Sequence, residues 1–121
     1  MGPILIVDDE FGIVEALEGF LQDEGYRTAT ALNGQQALEK MRAERPVLVL
    51  LDYMLPVLHG PAVLEAMKSD PHLRDVPVVL MSASPARMWK HLPATEFLPK
   101  PFGLAQLTDI VRRYAGAPPA P

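Results

Sequence analysis

Acidic side chains gather where short apolar runs end. Asp8, Asp9 and Glu10 follow directly on Ile4–Val7, and Asp52 closes the run Val47–Leu51. Ser82 follows Val76–Met81, and Lys100 comes just after Glu96–Leu98. If these run ends meet, Asp8, Asp9 and Asp52 crowd one edge and repel one another, at a cost of several kcal/mol in a low-dielectric cleft unless a cation or protons intervene. Hard oxygen ligands with open positions suit Mg²⁺, which keeps waters and accepts a phosphate as co-ligand. A carboxylate, Mg²⁺, a lysine and a hydroxyl around one point make a site for phosphoryl transfer. Taken singly, each residue has a plainer reading. Asp8 and Asp9 could be first-turn acids of a helix, Ser82 a loop hydroxyl and Lys100 a solvated charge.

The elements that must position these groups can be read from periodicity. The three apolar runs do not alternate with polar residues, so both faces of each strand are covered, as in a parallel sheet between helices. Weaker strands are expected at Arg27–Ala31 and Glu96–Leu98. Helical spacing over Phe11–Glu24 places Ile13, Val14, Leu17, Phe20 and Leu21 on one face, ended by Gly25. Asn33 is a suitable N-cap for a helix carrying Ala37, Leu38 and Met41, stopped by Pro46. Pro61 suits the first turn of a third helix with Leu64 and Met67. The last helix, about Leu104–Ala115, presents Leu104, Leu107, Ile110, Val111 and Tyr114. The order is β-α five times, which predicts right-handed crossovers and a doubly wound α/β sheet. In such sheets ligands bind at the carboxyl ends of the strands, where the strand order reverses.

The 121 residues suit one compact domain. With no cysteine, disulfides, thiolate metal sites and a cysteine nucleophile are excluded. A net charge of −4 without basic clusters argues against direct binding to nucleic acid. The apolar start is too short for a signal peptide, and no run approaches the ~20 residues of a membrane span. His59, His72 and His91 lack ligand spacing and read as loop or surface residues, with His59 placed to tune the site entrance. Met54, Met67 and Met81 read as packing residues. Trp89 is either a core plug or an exposed contact.

ILIVDDE, LLDYMLP with Gly60 close behind, MSA and KPF together resemble the four signature blocks of response regulator receiver domains, over residues 3–115. The resemblance implies a flavodoxin-like sheet of order 2-1-3-4-5 and a receiver domain over 1–116, while residues 117–121, Ala/Pro-rich and unable to pack a core, read as a flexible tail. It implies a cytoplasmic signalling switch whose partners are a histidine kinase or histidine phosphotransfer protein and an unknown downstream protein. Asp52 would be the phosphoacceptor. Asp9 would bind Mg²⁺ directly, Asp8 through water, and the Met54 backbone carbonyl would be a further ligand. Ser82 and Lys100 would hold phosphoryl oxygens. Phe97 matches the aromatic switch position, and Ser82 would move toward the phosphate as the ring turns inward.

Rival functions fit less well. An aspartate-nucleophile phosphohydrolase would usually carry a second aspartate where Met54 stands, so no turnover enzyme is expected. DDEFG lacks the glycines of a dinucleotide loop. A pseudo-receiver that only scaffolds would not need the full residue set. Two local expectations follow. The Lys100–Pro101 bond should be cis, since Lys100 must point into the site while the chain turns. Pro85 and Pro93 fence the helix between the fourth and fifth strands into Ala86–Leu92, too short to be stable without packing, so it should be short, irregular or mobile and its partner surface altered from the usual receiver pattern. The chain is then a stand-alone regulator or an excised receiver.

Overall fold

The computed structural model describes residues 2–118. Five strands run parallel in the order β2-β1-β3-β4-β5. They are β1 (Ile4–Val7), β2 (Thr28–Ala31), β3 (Leu48–Asp52), β4 (Val78–Ser82) and β5 (Glu96–Pro99). The α-helices are α1 (Phe11–Asp23), α2 (Gly34–Ala43), α3 (Gly60–Lys68) and α4 (Leu104–Ala115). Between β4 and β5 there is no α-helix but a single 3₁₀ turn, Ala86–Met88. The regular βα alternation expected from the sequence therefore breaks at this crossover, and the expected short fourth helix shrinks to that turn.

The three central strands are buried along their whole length. Side chains of successive strand residues point to opposite faces, so each strand feeds two cores. Leu5, Val7, Val49, Leu51, Val78 and Leu80 join Ala37, Leu38 and Met41 of α2 and Val63, Leu64 and Met67 of α3. Ile4, Ile6, Leu48, Leu50, Val79 and Met81 join Val14, Leu17 and Leu21 of α1 and Leu107, Ile110 and Val111 of α4. Trp89, 5 % exposed, is a plug in the first core. It occupies the side of that core which no helix covers between β4 and β5.

Helix starts follow the capping logic. Asn33 Oδ1 accepts a hydrogen bond from Gln36 N at 2.8 Å, opening α2. At α3 the cap is His59, whose Nδ1 accepts from Ala62 N at 3.2 Å. After α4, Tyr26 Oη donates to the Gly116 carbonyl at 2.7 Å. Of the tail expected over 117–121, residues 119–121 lie outside the described residues.

Candidate metal and phosphoryl site

The chain passes from β1 outward to β2 and returns across β1 to β3, so the strand order reverses between β1 and β3. The carboxyl ends of these two strands are where the acids lie. Asp8 follows β1 and is fully buried; Asp52 is the last residue of β3 and only 7 % exposed. Asp9 is exposed beside them. One carboxylate oxygen from each of Asp8, Asp9 and Asp52 lies within 4.8 Å of the others. Asp8 Oδ1 also accepts from Glu10 N at 3.0 Å, which fixes its orientation.

Lys100 enters from the far side. Its Nζ donates to Asp8 Oδ2 at 2.9 Å and to Asp52 Oδ1 at 3.2 Å. Its backbone N–H donates to the Ser82 carbonyl at 2.8 Å, tying the end of β5 to the end of β4. The Lys100–Pro101 peptide is cis, as expected. Ser82 is 2 % exposed, and its Oγ accepts from Ser84 N at 3.0 Å. Asp8, Asp9, Asp52 and Lys100 thus converge as the sequence predicts, with Ser82 at the neighbouring strand end.

One lysine does not balance three acids. Burial, then the charge of Asp8, push the Asp52 carboxyl up to about 6, against the opposing pull of Lys100. Burial alone would pull the Lys100 ammonium down, but its hydrogen bond to Asp8 and the charge of Asp52 outweigh that and hold it above its ordinary value. An all-oxygen donor set with surplus negative charge fits a hard divalent cation, which would relieve the repulsion that raises Asp52. Met54, two residues past Asp52, has an exposed side chain, and among the described residues nothing donates to its carbonyl.

The β3–α3 loop is held tightly against this cluster. Tyr53 N donates to the Met81 carbonyl at 2.9 Å and Gly60 N to the Tyr53 carbonyl at 3.1 Å. A Cβ on Gly60 would stand 2.7 Å from the Asp52 carbonyl oxygen, so only glycine allows this closure. At the loop tip Val57 has φ of 66°, rare for a β-branched residue, and Leu58 N donates to the Pro56 carbonyl across it at 2.7 Å. Neither the Val57 turn nor the His59 cap was legible in the sequence. A histidine before Gly60-Pro61 was the available hint of a cap.

Phe97 lies in β5 opposite Leu80, half-buried, with its ring centroid 5.3 Å from that of Trp89. His72 and His91 are exposed, as expected of loop residues.

The family model of the response regulator receiver domain matches residues 4–112. The chain belongs to this family. It is 40% identical over 116 residues to the sporulation initiation phosphotransferase F of Bacillus subtilis, covering 92% of this chain and 91% of that one. The chain spans about half the length of other curated relatives, which are transcriptional regulatory proteins. Among solved structures, the receiver domain of a signal transduction histidine kinase from Syntrophus aciditrophicus superposes with a TM-score of 0.87 at 31% identity, covering 100% of this chain and 96% of that one. The response regulator TrrA of Thermotoga maritima, solved in complex with Mg²⁺-BeF, gives 0.84 at 33% identity, covering 94% and 99%. The sheet order and the acidic cluster are thus those of a receiver domain, a phosphoacceptor element of two-component signalling with a place for a divalent metal. No helix among the described residues is long and apolar enough to cross a membrane.

Proposed function

We propose that Asp52 accepts a phosphoryl group from a phosphohistidine of a histidine kinase or histidine phosphotransfer protein. The observation that carries this reading is a buried carboxylate at the end of β3, beside two further acids and bridged by Lys100. An oxygen of Asp52 attacks the phosphorus, the P–N bond of the donor breaks, and its electron pair leaves with the imidazole. The product is an acyl phosphate on Asp52. Lys100 turns from the carboxylates to a phosphoryl oxygen, and the Ser82 hydroxyl donates to another.

Asp9, Asp52 and the Met54 carbonyl would hold Mg²⁺ directly, with Asp8 acting through water. The bound ion would neutralise charge developing on the phosphoryl oxygens. As Ser82 moves to the phosphoryl group, Phe97 turns inward and the surface around β4 and β5 is re-set for a downstream protein in the cytoplasm. The protein is a reactant in this exchange and loses the group only by transfer or by autodephosphorylation.

Intact mass after incubation with acetyl phosphate and Mg²⁺ tests the assignment. Wild type gains one phosphoryl group and Asp52→Asn gains none. Equal labelling of both proteins refutes it.

A further inference from the structure

The turn Ala86–Met88 buries none of its own residues; Ala86, Arg87, Met88 and Lys90 are all exposed. One 3₁₀ turn is too short to hold itself. What anchors it is Trp89, the single tryptophan of the chain. Its indole Nε1–H donates to the Ser84 carbonyl at 2.8 Å, while Ser84 N donates to Ser82 Oγ at 3.0 Å. The other side of the indole meets the Phe97 ring at 5.3 Å between centroids, inclined at 36°.

We propose that Trp89 is the positioning residue through which both switch groups, Ser82 and Phe97, act on the turn between β4 and β5. The proposal rests on the reading of Asp52 as phosphoacceptor. Ser84 is the hinge of the link, since its N–H answers to Ser82 and its carbonyl to Trp89. When the Ser82 hydroxyl turns to a phosphoryl oxygen, the Ser84 N–H loses its acceptor and the Ser84 peptide shifts. A buried indole N–H left without an acceptor is costly, so Trp89 follows the Ser84 carbonyl and gives up part of its burial. Rotation of Phe97 removes the ring that packs on the same indole. Both inputs therefore converge on one side chain, and the exposed turn moves with it. The surface that is re-set is cationic: Arg87 and Lys90 are exposed, and no carboxylate occurs from Val76 to Thr95.

Because the chain has one tryptophan, its emission reports this position alone. The 121-residue chain is treated with acetyl phosphate and Mg²⁺, with acyl phosphate formation followed by intact mass in the same sample. Phosphorylation should red-shift the emission and raise acrylamide quenching about twofold, the sign of local opening around the indole. In resting protein, Ser82→Ala should already show raised quenching, because Ser84 N has lost its acceptor, and Ser82→Thr should restore the wild-type value. Acyl phosphate formation with unchanged emission and quenching overturns the proposal. So does resting Ser82→Ala that quenches like wild type, or Ser82→Thr that behaves like Ser82→Ala. If wild type gains no phosphoryl mass, the reading of Asp52 fails, and the resting comparison of the two Ser82 variants still decides whether Trp89 answers to Ser82.

Discussion

On the β1–β3 side of the cleft, Asp8 and Asp52 stand at the ends of strands buried on both faces, and the loop after β3 is pinned by Gly60. On the β4–β5 side, Ser82 and Lys100 stand at strand ends joined by a segment whose regular structure is one 3₁₀ turn and whose buried anchor is Trp89. The contrast follows from what each side must do. Carboxylates that repel one another stay together only if the backbone beneath them cannot relax. A segment that answers a small hydroxyl movement must instead be held by few contacts, since local opening is drawn from the weakly held end of a structure.

The largest expected effect tests the weakly held side. Trp89→Ala removes the only large buried group of its segment and should cost about 3–5 kcal/mol, read from urea denaturation. A loss below about 1 kcal/mol would mean that the segment is held by something else, and the contrast would collapse.

The acidic side predicts a change of opposite sign. The Asp52 carboxyl is raised from 3.8 to about 6, so the folded state binds its proton more tightly than the unfolded state does. Stability from this group is therefore lost as pH rises between those two values. Without divalent cations, Asp52→Asn should be more stable than wild type at pH 7, by about 2–3 kcal/mol at most. The gap should close toward pH 4 and narrow when Mg²⁺ is added. Thermal melts of both proteins across this range check it, and a variant less stable than wild type at pH 7 would show that burial and the neighbouring charge of Asp8 do not hold the Asp52 carboxyl up.

A smaller effect sharpens the picture of the pinned loop. His59→Ala removes the α3 cap and should cost about 1 kcal/mol, while His59→Asn should recover most of it. Equal stability of the three proteins would show that the histidine contributes no cap.

Much of this arrangement was legible because it depends on local rules. Ile4–Val7 and Leu104–Ala115 form the elements their periodicity predicts, with the same bounds. Val47 and Val76 lie outside the strands they were expected to begin, since an apolar residue packed on a core looks alike whether or not it pairs in a sheet. Asp8, Asp52, Ser82 and Lys100 could be placed because each ends or directly follows a strand, and strand ends are visible where apolar runs stop. That the helix between β4 and β5 would be short or irregular could be read from Pro85 and Pro93. Its replacement by a turn plugged by Trp89 could not, because that outcome depends on Ser84 and Phe97 meeting the indole from two different elements. The positive φ of Val57 runs against the preference of a β-branched residue and is imposed by the loop around it.

The acceptor itself can be identified by chemistry. Borohydride reduces an aspartyl phosphate to homoserine and leaves free carboxylates unchanged. Protein phosphorylated with acetyl phosphate and Mg²⁺, reduced, digested and sequenced by mass spectrometry should carry homoserine at position 52, with Asp8 and Asp9 intact. Homoserine at position 8 or 9, or unmodified Asp52 in protein whose mass shows phosphoryl uptake, would contradict the account.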